Sequence, residues 1–247
     1  MIQKEIIPYS LKEVQMKGYA AFDAKEQKKR PAVLVVHALR GQDDFARKKA
    51  EELAQLGYVG FAVDLYGEGR ETQDNALAAE WMAPLFKDRA QLQERIKAAY
   101  DCVRIQPQVD PGKIGAIGFC FGGLTAIELF RSGVNLRGAV TFHALLGNQL
   151  RDMKAKTVPI AKNIKGSLLV LHGHEDPLTS QEDITHFQNE LTEAKVDWQM
   201  HIYGQALHAF TNPMAHDTKH GMVYNARAAA RSWKSMVQFF NEVFQSS

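Results

Sequence analysis

A cysteine flanked by glycines is the residue whose setting indicates chemistry most directly. Gly118, Phe119, Cys120, Phe121 and Gly122 form a G-x-C-x-G motif, the thiol counterpart of the G-x-S-x-G nucleophile elbow. A strand that turns directly into a helix brings two backbones close together, so the positions two before and two after the nucleophile must lack side chains. The nucleophile takes a strained conformation that exposes its sulfur. The motif therefore predicts a reactive thiol at Cys120.

The helix expected after this turn would assist a thiol nucleophile. Its N-terminus points free amides and the positive end of a dipole at the sulfur, which favours the thiolate. The backbone N–H of Phe121 is the natural donor to an oxyanion that develops during attack. The alternative for Cys120 is a small buried hydrophobe between glycines that merely permit close packing. Cys102 lies in the middle of a predicted helix beside Val103, and we interpret it as a packing residue.

A thiol nucleophile needs a base, and the base needs an acid that orients it. In a fold with a nucleophile elbow, the three follow in the order nucleophile, acid, histidine. Asp176 follows a predicted strand in LLVLHGHEDPLT, and His208 follows the next strand in HIYGQALHAFTNP. Both are expected at the carboxyl edge of the sheet beside the elbow, where open α/β folds bind their ligands. Cys120, Asp176 and His208 are therefore the predicted catalytic residues.

Other residues compete for these roles. An aspartate before Pro177 is also a common turn initiator. The neighbouring acids are Glu175, expected to point the other way, and Asp183, expected to open a helix. Three further histidines also close strands, and each is interpreted as a hydrogen-bonded structural residue near the site: His37, His143 and His172. Chain order and loop position select Asp176 and His208 over these competitors.

The acid loop also permits a metal-site interpretation. His172, His174 and Asp176 are similar to the H-x-H-x-D-H motif of metallo-β-lactamase-like hydrolases, and histidine and carboxylate ligands at that spacing can hold zinc. Pro177 replaces the final histidine, however, and the motif falls late in the chain with little room for the remaining ligands. We therefore predict no metal and no cofactor, and keep a His/Asp metallohydrolase as the less favoured alternative.

The elements that must position these residues follow from the hydrophobic pattern. Apolar runs alternate with amphipathic stretches, which is typical of a parallel sheet with helices on both faces. Predicted strands cover residues 32–37, 58–66, 113–118, 138–143, 167–172 and 197–203, and predicted helices cover 43–56, 88–105, 180–194 and 225–244. Residues 7–24 are interpreted as an antiparallel start to the sheet. The predicted fold class is α/β, with a mostly parallel central sheet.

Composition excludes several classes of function. The 247 residues are 45% hydrophobic and 23% charged, with a net charge of +2, which suits a globular protein, and we expect one domain over residues 1–247. A net charge this small produces no strong electrostatic field that would attract nucleic acid or an anionic membrane. Two cysteines make no disulfide framework, and we find neither a signal peptide nor a membrane span. We expect a cytoplasmic protein, a monomer or a weak homodimer.

Four segments resemble the dienelactone hydrolase family of α/β-hydrolases: IGFCFGG, LHGHEDP, ALHAFTNP and RSWKSMVQFF. The similarity extends from Ala32 to the C-terminus. It implies an α/β-hydrolase fold and the hydrolysis of small-molecule esters or lactones, of the carboxymethylenebutenolidase type. The resemblance also implies a triad of Cys120, Asp176 and His208, with a thioester intermediate. Its oxyanion hole would consist of the backbone amides of Leu39 and Phe121.

The chain departs from the family's pattern near the nucleophile. Many members carry a glutamate two residues after the strand end, where this chain has Ala38. The change favours direct pairing of Cys120 with His208. It also admits a different class of function, a non-catalytic binding protein with the same fold, although retention of the whole Cys, Asp, His set argues against it.

A second departure concerns substrate binding. Dienelactone hydrolases proper resemble HSFAR after the catalytic histidine, where the arginine helps to hold the substrate carboxylate, and this chain has Asn212 at that position. Arg40 and Arg70 follow strands at the same edge and are the predicted substitutes, unless both are solvated surface residues. Tyr66 is a further candidate substrate-binding residue, as is Asn212 itself. Residues 212–224 are interpreted as either a lid or an oligomer contact.

Overall fold

The strands of the protein build one large sheet and two small hairpins. The computed structural model describes residues 1–162 and 164–245. The strands in chain order are β1 (Ile2–Leu11), β2 (Val14–Asp23), β3 (Arg30–Val36), β4 (Val59–Ala62), β5 (Val109–Phe119), β6 (Gly138–Phe142), β7 (Gln149–Leu150), β8 (Met153–Lys154), β9 (Ser167–Gly173), β10 (Asp197–Tyr203), β11 (His216–Asp217) and β12 (Met222–Val223). Eight of them form the main sheet, in the order β1-β2-β4-β3-β5-β6-β9-β10.

The main sheet is mixed but mostly parallel. β1 and β2 form an antiparallel hairpin, and β2 runs antiparallel to β4. From β4 to β10 every neighbouring pair is parallel. The predicted antiparallel start is thus confirmed, with longer strands than the sequence indicated. Because the parallel strands share one direction, their carboxyl ends meet at one edge of the sheet.

Helices cover both faces of this sheet, as predicted. The described residues form α1 (Asp44–Gln55), α2 (Asn75–Lys87), α3 (Arg89–Arg104), α4 (Phe121–Arg131), α5 (Gln181–Glu193) and α6 (Ala226–Gln245). Apolar residues of α1 and α6 form the buried cluster on one face. Those of α2, α3, α4 and α5 belong to the cluster on the other face, which includes Cys102 as the sequence indicated. None of the described helices is both long and apolar enough to cross a bilayer.

The predicted strand over residues 58–66 is wrong in its second half. β4 ends at Ala62, and the chain then turns around the buried carboxylate of Asp64. That carboxylate accepts hydrogen bonds from the backbone amides of Tyr66, Gly67 and Gly69, at 3.1, 2.8 and 2.7 Å. An aspartate that gathers several backbone donors stabilises a turn in place of a β ladder. The apolar character of the segment reflects its burial, since Val63 and Leu65 are both inaccessible to solvent.

Candidate active site

The register of the central strands brings four side chains to the same edge. Val36 of β3 pairs with Gly118 of β5, Phe119 pairs with Phe142 of β6, and Phe142 pairs with Leu171 of β9. Cys120, His143 and His172 therefore stand level in a row at this edge, and His37, which follows Val36, is level with Phe119, one residue before Cys120. Cys120 is the residue of this row that is partly open to solvent, whereas the three histidines are buried.

The turn at Cys120 has the close approaches that the glycine spacing predicts. A Cβ atom on Gly118 would lie 2.0 Å from the carbonyl oxygen of Gly122, and one on Gly122 would lie 2.2 Å from the carbonyl oxygen of Val36. Neither position has room for a side chain. Cys120 has φ of 55° and ψ of −118°, a left-handed conformation that costs a residue with a side chain about 1–3 kcal/mol. Its amide donates to Phe142 O at 3.1 Å, which holds the turn against β6.

Asp176 and His208 come together in a buried hydrogen bond. Nδ1 of His208 donates to Oδ2 of Asp176 at 2.7 Å, and both side chains are almost inaccessible to solvent. The other oxygen of the carboxylate, Oδ1, accepts from the backbone amide of Leu178 at 2.9 Å. Two donors thus fix the carboxylate, and the carboxylate fixes the imidazole in one orientation.

The second ring nitrogen of His208 is left for the thiol. Nε2 is buried and has no nitrogen or oxygen partner in the described part of the chain. Burial disfavours the imidazolium and lowers the pKa of His208. The negative charge of Cys120 and the hydrogen bond to Asp176 act in the opposite direction, and the net result raises the pKa to about 10. The imidazole of His208 is therefore stabilised in its charged form.

The two predicted oxyanion donors lie on either side of the elbow. Phe121 begins α4, and the first amides of a helix have no partner within the helix. Leu39 follows β3, and its carbonyl oxygen accepts a hydrogen bond from the Tyr66 hydroxyl at 2.9 Å. Burial, and after it the charge of Cys120, raises the pKa of Tyr66. The Tyr66 hydroxyl thus connects the Leu39 loop to the segment that follows β4.

The predicted substrate-binding arginines lie on the loops around this site and have local partners. Arg40 donates to the side-chain oxygens of Gln73 and Asn75, at 2.8 and 3.1 Å. Arg70 is exposed, with its guanidinium 6.0 Å from the centre of the Trp81 ring. Arg40 therefore contributes to the organisation of its own loop, while Arg70 is an exposed residue near the ring of Trp81.

The segment after His208 consists of a local turn and a small hairpin, and its roles as a lid, an oligomer contact or a substrate contact stay predictions. The Oδ1 atom of Asn212 accepts from the backbone amide of Met214 at 2.9 Å, so this side chain organises its own turn. β11 and β12 then form a small hairpin, whose Val223 amide donates to the carbonyl oxygen of His208 at 3.0 Å. The hairpin is therefore attached directly to the loop of the candidate base.

The competing acids and one competing histidine have structural partners. Asp183 forms a capping box with Ser180 at the start of α5, as predicted, and Glu175 is exposed. His37 uses both ring nitrogens locally, with Nδ1 donating to Ala38 O at 2.7 Å and Nε2 accepting from the amide of Leu65 at 3.3 Å. Burial lowers its pKa, so the ring is neutral. These residues contribute to the framework around the site.

The alternative metal ligands do not converge. His172 and Asp176 are buried, whereas His174 is exposed to solvent. Among residues 1–162 and 164–245, no three side chains of His, Cys, Asp or Glu are placed to share an ion. The carboxylate of Asp176 is committed to His208 and to a backbone amide.

Sequence reasoning missed two contacts at this site. One is the bond from Tyr66 to Leu39, and the other joins His143 to Thr211, with 2.8 Å between Nε2 and Oγ1. The sequence predicts Tyr66 as either a wall of the substrate pocket or a core residue, and it gives no prediction for Thr211. Both bonds link loops far apart in the chain, so no local pattern of spacing signals them.

Comparison with known proteins gives a consistent result. Residues 16–244 match the sequence model of the dienelactone hydrolase family. A curated protein of Aquifex aeolicus, named "Putative carboxymethylenebutenolidase", is 26% identical over 96% of this chain and 97% of its own length. A Bradyrhizobium protein, named "Probable 2-oxo-3-(5-oxofuran-2-ylidene)propanoate lactonase", is 26% identical over 73% of each chain.

A solved structure extends the likeness to three dimensions. It is a dienelactone hydrolase-like promiscuous phosphotriesterase from metagenomic libraries, with a TM-score of 0.91, 35% identity and coverage of 98% of both chains. The predicted α/β-hydrolase fold, with its eight-stranded mostly parallel sheet, is thereby confirmed.

Proposed function

This chain belongs to the dienelactone hydrolase family, and we propose that it hydrolyses small carboxylic esters or lactones with Cys120 as its nucleophile. The observation that carries the proposal is the buried pair of Asp176 and His208, whose imidazole interacts with the Cys120 thiol on a strained turn. The lactonase and carboxymethylenebutenolidase names of its relatives support the substrate class. A binding protein would have no need to keep the imidazole oriented and charged.

The first half of the reaction forms a thioester. The Cys120 thiolate attacks the carbonyl carbon, and the new S–C bond moves an electron pair onto the carbonyl oxygen. The amides of Phe121 and Leu39 donate to this oxyanion. When the C–O bond to the leaving group breaks, His208 gives its Nε2 proton to the departing alkoxide. For a lactone the alkoxide remains part of the same molecule, and the acyl group stays on the sulfur.

The second half requires His208 to act as a base. Formation of the thioester removes the negative charge of Cys120, which is the main contribution that raises the pKa of the imidazole. The neutral ring then accepts a proton from water, which attacks the thioester carbonyl. Collapse breaks the C–S bond, and the acid product leaves as the thiolate and imidazolium return. The same nitrogen thus serves as acid and then as base because the charge beside it changes.

The nucleophile sets the substrate class within this scheme. A tetrahedral intermediate on sulfur expels whichever group leaves more easily, and a thiolate leaves more easily than an unactivated amine. An alkoxide or phenoxide competes far better. We therefore expect turnover of small esters and lactones and little turnover of unactivated amides.

The proposal is tested by comparing the two cysteines. 4-Nitrophenyl acetate and dihydrocoumarin are assayed with the parent, with Cys120→Ala and with Cys102→Ala. We expect Cys120→Ala to lower kcat/KM by about 10³-fold or more, and Cys102→Ala, which changes a buried residue of α3, to keep the parent value. Full activity in Cys120→Ala would refute a Cys120 nucleophile. Absence of turnover of either compound by the folded parent would instead favour the binding-protein alternative.

A further inference from the structure

The backbone of His143 joins two of the segments that carry the triad. The preceding carbonyl, that of Phe142, accepts the amide of Cys120 at 3.1 Å, and the amide of His143 donates to Leu171 O at 2.8 Å. The first bond reaches the elbow and the second reaches β9, which leads into the Asp176 loop. His143 itself has φ of 40°, a left-handed conformation that is uncommon for a residue with a side chain. Its surroundings therefore impose this position on the residue.

The side chain of His143 reaches the third segment. Its Nε2 lies 2.8 Å from the hydroxyl oxygen of Thr211, in the loop three residues beyond His208. Its ring meets the ring of His208 edge-on, with 5.1 Å between their centres, and it meets Phe210 in the same way at 5.1 Å. Both His143 and Thr211 are buried. The loop of the candidate base is thus fastened to β6 by a hydrogen bond and by a ring contact.

These contacts restrict a tilt of the His208 imidazole that its hydrogen bond to Asp176 does not prevent. A single hydrogen bond fixes the position of Nδ1, but the imidazole of His208 can still tilt about the line joining Nδ1 to the carboxylate oxygen. A tilt moves Nε2, at the far side of the ring, away from the sulfur. The edge-on ring of His143 opposes this tilt, and its bond to Thr211 keeps the loop from withdrawing.

The charge state of His143 suits this place. Burial is the first cause that lowers its pKa well below the usual range, and the positive charges of His208 and then His172 lower it further. The ring is therefore neutral beside an imidazolium. It also contacts the Thr211 hydroxyl and the uncharged rings of Phe119 and Phe210.

We propose that His143 is a positioning residue, which aims Nε2 of His208 at Cys120 through its ring contact and its bond to Thr211. The proposal rests on the proposed function, because it concerns the same imidazole. It is distinct from a general packing role, which would affect the free energy of unfolding but not the chemical step of the folded protein.

The test uses variants at both ends of the bond. Thr211→Val removes the hydroxyl at nearly constant shape, and Thr211→Ser keeps it. We expect Thr211→Val to lower kcat on 4-nitrophenyl acetate by about 10-fold or more, since small misplacements of catalytic groups cost this much, with KM within twofold. Thr211→Ser should recover most of this loss. Thr185→Val, which removes an exposed hydroxyl that donates to Gln181 O within α5, is the matched control.

Variants of His143 complete a double-mutant cycle. His143→Gln retains a nitrogen donor at a similar reach, so it should keep more kcat than His143→Phe, which has none. The losses of His143→Phe and Thr211→Val should not multiply in the double variant, because both remove one bond. Multiplicative losses, or a folded Thr211→Val with kcat within twofold of the parent, would overturn the proposal. Denaturant unfolding of each variant separates lost structure from lost positioning.

Alkylation of Cys120 distinguishes failure of the positioning role of His143 from failure of the proposed function. Iodoacetamide modifies the Cys120 thiolate without any substrate chemistry, and the pairing of His208 with the thiol supports that thiolate. We expect alkylation of Cys120 in Thr211→Val to be several-fold slower than in the parent at pH 7.5, with Thr211→Ser in between. An unchanged rate rejects the positioning role even if the parent hydrolyses no ester. Conversely, a parent that hydrolyses esters after loss of Cys120 refutes the proposed function alone.

Discussion

The two ends of α4 both hold buried polar groups, but they leave different atoms without partners. At its start, the nitrogens without a partner among the described residues belong to imidazoles, those of His143, His172 and His208, and Nε2 of His208 is the one that interacts with Cys120. Near its end, Glu128 accepts from Arg131 Nη1 at 2.8 Å and from Gln93 Nε2 at 3.0 Å, so both carboxylate oxygens are used. The atoms left over there are N–H groups of two arginines.

The chemical type of the unpartnered atoms determines whether each end of α4 can take part in proton transfer. An imidazole nitrogen gains and loses a proton within an accessible pH range. An imidazole nitrogen without another partner can therefore exchange a proton with a neighbouring thiol. A guanidinium keeps its protons and has no electron pair to offer. Burial and charge alone therefore do not mark an active site. Substitutions at the start of α4 should change activity, and substitutions at its end should change stability.

The largest effect is expected at Cys120 itself, and it should separate activity from stability. Cys120→Gly removes the nucleophile and also relieves the left-handed φ of 55°. We expect a loss of esterase kcat/KM of about 10³-fold or more, together with a free energy of unfolding about 1 kcal/mol above that of Cys120→Ala. Cys120→Ala is the matched control, since it removes the sulfur but keeps a side chain. If both variants unfold at the same denaturant concentration, the strain at the elbow is smaller than its geometry indicates.

At Glu128 we expect the opposite result, a loss of stability without a loss of activity. Glu128→Gln keeps the shape but turns one carboxylate oxygen into an N–H₂ group that faces a donor, and it leaves the buried charges of Arg89 and Arg131 poorly compensated. We expect a loss of about 3–5 kcal/mol in the free energy of unfolding, with kcat per folded molecule unchanged. Glu190→Gln changes a partly exposed partner of Arg131 and should cost far less. A fully folded Glu128→Gln protein with reduced kcat would break the contrast between the two ends.

The two ends should also differ in their response to pH. The folded pKa of His208 is raised above its ordinary 6.5 to about 10. The stabilisation by its charged form is therefore complete below pH 6.5, and it is lost as the pH rises through about 10. We expect the free energy of unfolding of the parent to decline across this window. In Cys120→Ala the decline should be smaller, since the charge of Cys120 is absent.

Glu128→Gln supplies the contrast for this pH experiment. This substitution leaves His208 and its partners unchanged, so the difference in the free energy of unfolding between Glu128→Gln and the parent should stay constant between pH 6 and 9. Parallel curves for the parent and Cys120→Ala would contradict the ion pair at the elbow. In the same experiment, kcat/KM of the parent should fall as the pH approaches 10, because the imidazolium that protonates the leaving group disappears.

The sequence predicts the features of this protein that depend on local pattern. Hydrophobic periodicity locates the parallel strands and most helices within a few residues, and the glycines around Cys120 predict the turn that they form. Chain order selects Asp176 and His208, which meet in a 2.7 Å hydrogen bond, and their catalytic roles stay predictions. Sequence reasoning extended β4 too far, because the alternation of apolar residues does not show that Asp64 will gather backbone amides. Contacts between distant loops depend on the closed sheet and leave no local pattern.

The contact between Tyr66 and Leu39 is one of these, and it supports the smallest effect we predict. Tyr66→Phe removes the hydroxyl that donates to Leu39 O at 2.9 Å and leaves that carbonyl without its partner. The Leu39 loop should become less rigid, and we expect kcat on 4-nitrophenyl acetate to fall about 3- to 10-fold, within the cost of one misplaced oxyanion donor. The free energy of unfolding should fall by about 1 kcal/mol.

A second buried tyrosine allows this prediction to be separated from general loss of stability. Tyr100 also donates to a backbone carbonyl, that of Asn135 at 3.0 Å, but it lies on α3 away from the elbow. Tyr100→Phe should therefore lose about the same stability, again about 1 kcal/mol, and keep the parent kcat. Equal kcat values for the two variants would mean that the Leu39 amide does not depend on Tyr66. The geometry of the candidate site at the start of α4 would then depend only on the Cys120 turn and on the loop that carries His208.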